Sequence, residues 1–421
     1  MEELQVSESA AQEEAAVTKR HAYFVIIAGF INNFIIFGIS FTYGVFQEFY
    51  LTPEGPLHGK SAAAVSLIGT ISTCLTYSLG ILNGPLSSRF RIRNIMCVGS
   101  TVMSLGMILA GSCNEQQTWQ FALSQGVMYG VGASLTYLPP VVCGPQYWDK
   151  RRGIAMGIVF SGTGVGGLAM APLSRKLISA VGWRWALRTL GLIAFVCTFG
   201  VSFLVHPHPN YRPSNIGLVN VRIAKSLKFL THVSGGFLQS AGYLIPLFYM
   251  SSYGETLGLS NSTGAVLIGV NNAVNAASKI VFGFIADYVG RINTLLFCCI
   301  MSATTVFALW LVPQQSTFIS FVVLYGIFSG PIIALLPACL VELFGVQNYH
   351  SMSGLMYFSR GMGNLLGSPI AGLFVTKGSA SSPADYKNAI LYNGALLAAN
   401  CLCFIFLRGQ IGYERKWRLK A

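Results

Sequence analysis

Acidic residues are scarce in this chain. Asp and Glu number 14 in 421 residues, all charged types together make up 10%, and 53% of the residues are hydrophobic. Soluble domains carry about a quarter charged residues, so a soluble fold is excluded and the chain reads as an integral membrane protein. Its aromatic, glycine and mixed polar positions fit spanning helices better than the weak alternation of barrel strands. A phosphate-cradling glycine loop is lacking, which excludes direct drive by ATP. The ten cysteines show no metal-ligand spacing and sit mostly inside apolar runs, so neither a metal site nor a disulfide framework is expected. The adjacent pair Cys298 and Cys299 reads as small packing residues. No catalytic constellation is present, so an enzyme is excluded and no cofactor is expected. No cleavable signal is expected ahead of the first long apolar run, and the sequon at Asn261 lies in a tight connector that argues against glycosylation.

What the chain does have is a net charge of +13. Its basic residues fall in short loops between apolar runs, which is a topology signal and not a nucleic-acid surface. Twelve apolar cores are long enough to span about 30 Å of hydrocarbon: 22–47, 61–83, 95–112, 118–143, 153–175, 183–205, 226–250, 261–286, 292–312, 317–343, 351–376 and 387–408. With both termini inside, 18 Lys and Arg fall on the inner side and 7 on the outer, which places the N-terminus in the cytoplasm. The remaining two, Lys279 and Arg360, lie away from the segment ends.

The chain repeats itself. Gly84-Pro-Leu-Ser-Ser88-Arg89 follows the second core, and Gly283-Phe-Ile-Ala-Asp287-Tyr-Val-Gly290-Arg291 follows the eighth, 199 residues on. Phe160-Ser161-Gly-Thr-Gly in the fifth core matches Phe358-Ser359-Arg-Gly-Met-Gly in the eleventh, 198 residues on. Two motifs at nearly one offset imply duplicated six-helix halves, with a site at their shared midplane. The expected architecture is all-α: twelve transmembrane helices in two pseudo-repeats, the layout of a major facilitator transporter. Its parts are a cytoplasmic tail (1–21), an N-terminal half (22–205), a Pro-punctuated connector (206–225), a C-terminal half (226–408) and a second tail (409–421).

In the loop motif, glycines permit a sharp bend and close helix approach, while the carboxylate and guanidinium can bond helix ends or each other. Gly84, Arg89, Gly283, Asp287 and Arg291 are therefore gating candidates. Ser88 stands where the acid would be in the first copy, so a latch there is weaker or uses another partner. The basic triplet Lys150, Arg151 and Arg152 opens the fifth helix and joins this gating set.

The stretch Tyr147-Trp148-Asp149-Lys150-Arg151-Arg152-Gly153, with the small-residue helix after it, resembles the fifth-segment signature of the monocarboxylate-porter family. Gly38-Ile-Ser-Phe41-Thr-Tyr-Gly44 is similar to that family's opening helix, and Pro246-Leu-Phe-Tyr249 to the seventh segment of its fungal members. The resemblance covers residues 21 to 408 and implies a secondary transporter of organic anions. Animal lactate carriers of the family have a lysine where this chain has Phe41. They also have an aspartate and an arginine at the positions of Asn275 and Lys279, so the likeness does not carry lactate–proton transport onto this sequence.

Lys279 lies eight residues before Asp287, about 12 Å up the helix. A charge near the bilayer centre costs roughly 2.5–3.5 kcal/mol, and Asn271, Asn275 and Lys279 share one helical face. Arg360 lies about 15 Å deep and shares a face with Asn364. No carboxylate stands at mid-membrane to pair either cation, so a mobile anion bridging Lys279 and Arg360 is the expected partner. The alternatives are a packing lysine bonded to backbone carbonyls or Asn275 and a structural guanidinium that satisfies carbonyls of a neighbouring broken helix. Asn271, Asn275 and Asn364 would orient the anion; Asn32, Asn33, Tyr137, Tyr243 and Tyr249 are further candidates, each weighed against a packing role. His232, near the start of the seventh segment, has a side chain that could titrate, but its place near the cytoplasmic end favours a surface role.

The expected function is secondary or facilitative transport of a small organic anion or carboxylate-bearing metabolite by alternating access. The alternatives are efflux of a fungal secondary metabolite and, in another class, a membrane sensor, for which the tails are short. The expected partners are an anionic small molecule, the bilayer of the plasma membrane and, as an open driving force, protons.

Overall fold

A computed structural model of the protein describes residues 2–211, 220–375 and 382–414. Part of the connector (212–219), residues 376–381 and the end of the second tail (415–421) lie outside the described residues. Every regular element described is helical, and nine helices are long and apolar enough to cross a membrane among the described residues. Each of the twelve expected cores falls on helix.

The long helices are α1 (Glu2–Leu51), α2 (Ala62–Ser78, continuing as Gly80–Arg89), α3 (Ile92–Ala110) and α4 (Thr118–Tyr147). A single 51-residue run, Arg152–Ser202, bends at Gly182, whose φ of 76° breaks the helix. Its two arms are α5 and α6. The second half contains α7 (Leu227–Thr256), α8 (Asn261–Val289), α9 (Arg291–Trp310), α10 (Gln315–Phe344), α11 (Val346–Phe374) and α12 (Lys387–Glu414). Helices α7 and α11 are as long as several of the others but are not among the nine that length and hydropathy mark as able to cross a membrane. Residues 2–21, expected as a tail, continue α1 as helix.

Two seams join the halves. In one, α5 packs on α8: a Cβ on Gly153 would sit 2.3 Å from the Gly283 carbonyl oxygen, and one on Gly157 would sit 2.3 Å from that of Lys279. In the other, α2 packs on α11, with Gly361 pressed against Ser78 and the Cys74 carbonyl. Both seams run from the inner face, as set by the charge bias, to mid-membrane. Helices α1 and α7 share no extensive contact among the described residues. The conformation is therefore closed toward the inner face.

Closure at this spacing leaves no room for a side chain. Gly157→Val should overpack the α5–α8 seam at a cost of about 1–3 kcal/mol, lowering the closed population and transport roughly tenfold or more. Gly44→Val is the matched control, because a Cβ there meets nothing within 4 Å. Equal transport by both variants, at equal membrane yield, would show that the seam is not closed by backbone contact.

Candidate functional site

Asp287 sits at the inner end of the α5–α8 seam and caps the other half. Its carboxylate accepts from the backbone N–H of Gly153 at 2.8 Å and of Ile154 at 3.0 Å, the first turn of α5. A carboxylate there neutralises unpaired helix N–H groups and the positive end of the helix dipole. Arg291 then holds the acid: its Nε and Nη2 donate to Asp287 Oδ1 at 3.2 and 3.0 Å, its Nη1 to Glu342 at 3.4 Å, and its Nη2 to the Asp149 carbonyl at 3.1 Å. Arg152 pairs with Asp149 at 2.8 Å, while Lys150 and Arg151 point to solvent.

The α2–α11 seam has no counterpart. Ser88 donates to the Pro85 carbonyl of its own helix at 2.8 Å, and Arg89 is exposed. Gly84 lies in the same helix, but its packing is outside what is described.

At mid-membrane, Arg360 is 2% exposed. Its guanidinium lies over the rings of Tyr77 (5.2 Å) and Tyr357 (5.7 Å), and its Nε donates to Ser240 at 3.0 Å. Tyr77 belongs to one half and Tyr357 to the other; their rings stack at 6.0 Å and 12° across the seam. Arg360 Nη1 is buried without a protein partner. Aromatic faces compensate a cation only in part, so one charged donor is left for an acceptor the protein does not supply.

Lys279 is fully buried and donates to Thr163 Oγ1 of α5, which itself donates to the Phe160 carbonyl at 2.8 Å. The lysine therefore ties one half to the other. It was expected to face a cavity; in this conformation the α5–α8 seam encloses it and one of its three protons is used. No distance brings it into contact with Arg360, whose positive charge nevertheless acts on it. The only carboxylates buried near the spans, among the described residues, are those of Asp287 and Glu342 at the inner end.

A family model for the Major Facilitator Superfamily matches residues 22–325. The chain belongs to the Major Facilitator Superfamily. Among its relatives, an MFS-type transporter of Aspergillus niger is 28% identical over 406 residues, covering 95% of this chain and 91% of that protein. A protein of Emericella nidulans named as an aspyridones efflux protein is 28% identical, covering 87% and 74%. One of Paecilomyces divaricatus named as an agnestins efflux protein is 26% identical, covering 93% and 88%. Solved structures share the fold: the E. coli fucose:proton symporter, with a TM-score of 0.68 at 12% identity over 91% of this chain and 99% of that one, and a bacterial homologue of the iron transporter ferroportin in an outward-facing state, with 0.69 at 12% over 92% and 99%.

In this facilitator the remaining candidates separate by location. Asn275 donates to the Tyr243 hydroxyl at 3.4 Å, and Tyr325 donates to the Tyr243 carbonyl at 3.3 Å, so these three join α7, α8 and α10 near the site. Asn271 donates to the Val322 carbonyl at 2.7 Å and serves helix packing within the second half. Asn364 is buried on the Arg360 face. Tyr137 packs edge-on to Phe37, Tyr77, Phe160 and Tyr357, forming an aromatic plug that spans both halves. Asn32 bonds the Thr136 carbonyl and Asn33 that of Gly29 in its own helix, each leaving its amide oxygen unpartnered. Tyr249 is half-buried against Tyr386, away from Arg360.

One reading is corrected. His232 is not a surface group: it is fully buried between α7 and α12, edge-on to Phe404 at 5.9 Å. Sequence reasoning also missed Thr163, Ser240, Tyr77 and Tyr357. Thr163 and Ser240 are ordinary helix residues in sequence, and only the juxtaposition of halves gives them a cation. Tyr357, three residues before Arg360, was the one findable by helical spacing.

Proposed function

We propose that this facilitator exports a small acidic organic metabolite across the plasma membrane by alternating access. The observation that carries the reading is the buried Arg360, housed by neutral groups and keeping one charged donor unpartnered, with no mid-membrane carboxylate among the described residues. Leaving a buried charge uncompensated is costly, and a carboxylate, enolate or carbonyl-rich substrate is the partner that geometry accepts. Lys279 supplies a second positive charge one step along the path, and the Asn275–Tyr243 pair offers polar groups to orient the cargo. The aromatic plug beneath suits a substrate with a conjugated or ring-bearing body. Efflux is favoured over uptake by relatives named as efflux proteins for secondary metabolites. The fungal monocarboxylate-porter-like branch is the subfamily that the Tyr147–Gly153 signature supports.

Purified protein in liposomes, preloaded with a panel of aromatic and polyketide-type acids, is the direct test. Exchange is expected for the free acids and not for their methyl esters, since esterification removes the charge that Arg360 recognises. Equal exchange of acids and esters would overturn the anionic reading.

A further inference from the structure

The α5–α8 seam closes at three levels in one antiparallel register. A Cβ on Gly153 would sit 2.3 Å from the Gly283 carbonyl oxygen, one on Gly157 2.3 Å from that of Lys279, and one on Gly164 2.5 Å from that of Asn272. The backbone of Lys279 therefore stands opposite Gly157, but its ammonium lies elsewhere. Side chains lean toward the N-terminus of their helix, which in α8 is the outer end. Lys279 accordingly reaches Thr163, six residues and about 9 Å farther along α5 than Gly157. The cation is enclosed between the Gly157 and Gly164 contacts, on the mid-membrane side of its own backbone.

Thr163 is placed to accept. Its hydroxyl proton goes to the Phe160 carbonyl at 2.8 Å, which leaves its lone pairs for the ammonium. Between Gly162 and Gly167 it brings the only side-chain oxygen, and it is buried. The two mid-membrane cations differ in where such partners come from. Arg360 donates to Ser240, which belongs to its own half. Among the described residues Lys279 donates to Thr163 of the opposite half, and parting of the seam carries that hydroxyl away. An ammonium left without it needs another acceptor, because an uncompensated charge away from water is costly.

We propose that Thr163 is a positioning residue that competes with the cargo for Lys279, yielding the ammonium as the inner face opens and reclaiming it as that face closes. The proposal rests on the anionic reading of the site and adds to it the group that displaces the anion. A charged acceptor binds an ammonium more strongly than a neutral hydroxyl does, so Lys279 holds the cargo while the seam is open. Closure brings back a hydroxyl already fixed by its bond to Phe160, with backbone contacts on either side of it. Arg360, partnered from its own half, retains the cargo while Lys279 changes partner. Each partner occupies Lys279 in one state only. Closure therefore weakens the anion by the same factor by which the anion opposes closure. No covalent bond is made or broken.

The test uses the full chain in nanodiscs and an aryl sulfonate as a fixed anion. Thr163→Val keeps the shape and removes the acceptor. It should bind the sulfonate up to about tenfold more tightly than the wild type does, the factor that a hydrogen bond to a charged group sets. Spin labels on unnatural amino acids at Lys150 and Tyr288, exposed at the inner end of the seam, should move apart in the variant without ligand. Thr163→Ser should restore both readouts. Thr163→Ala takes the place of the valine variant if valine does not fold. With Lys279→Gln as background, Thr163→Val should change neither readout, whereas a valine that merely disturbed packing would act in both backgrounds. An unchanged label distance would overturn the competition. So would a sulfonate affinity that valine leaves equal, lowers, or changes equally with and without Lys279; sulfonate binding by the wild type would then leave the anionic reading standing. No sulfonate binding by the wild type would remove the anionic reading, and the competition with it.

Discussion

Asp287→Asn should open the inner face. The side chain is 5% exposed and its partner Arg291 11%, so the pair is not screened as a surface pair would be. Asparagine keeps one acceptor oxygen for the α5 N-terminus but loses the charge that complements the helix dipole and holds Arg291. Removing one member of a buried pair costs roughly 3–5 kcal/mol, and even half of that shifts a two-state equilibrium by more than tenfold. Only the bonds from the Gly153 and Ile154 N–H groups to Asp287 cross the halves, so it is their share of the cost that falls on the closed state alone. Spin labels carried by unnatural amino acids at Lys150 and Tyr288, exposed positions flanking the latch, should report a longer separation in the variant. An unchanged distance distribution would mean that glycine packing alone holds the seam. Ser88→Asp makes the complementary case: a carboxylate there should strengthen the α2–α11 seam only if it reaches the start of α11.

Arg360→Ala should weaken substrate binding by about thirtyfold or more, because a desolvated charge-assisted contact is worth roughly 2–5 kcal/mol. Arg360→Lys should recover little, since an ammonium cannot reproduce the planar fork between Tyr77 and Tyr357. Lys279→Ala should weaken binding less and should also loosen the closed state, through loss of the bond to Thr163. Affinity can be read by displacement of a fluorescent acid from purified protein, with surface expression checked separately. Normal affinity in both alanine variants would eliminate the two-cation site.

The architecture was legible because it is written in one dimension. Span length, loop charge and an offset of nearly 200 residues between motifs are properties of the chain itself. The latch was legible in part, since glycine, acid and arginine announced themselves at Gly283, Asp287 and Arg291. That Asp287 would cap α5 and not merely pair with Arg291 was not, because the Gly153 and Ile154 amides belong to the opposite half. Lys279 and His232 mark the same limit of a one-dimensional reading. Depth along a helix was readable for both, but which face meets another helix is decided by packing. Lys279 thus meets Thr163 of the opposite half in this conformation, and His232 is buried against Phe404 instead of lying at the surface.

Tyr77 has a consequence for direction. It reaches Arg360 from the other half, over the seam that must part when the inner face opens. Closing that face therefore brings the guanidinium an aromatic face that compensates its charge in part; opening it takes the ring away. On the cytoplasmic side the arginine bids for cargo with fewer partners of its own, and on the outer side the protein has begun to satisfy itself. In the proposed direction of export, such a carrier would grip where it loads and slacken where it unloads.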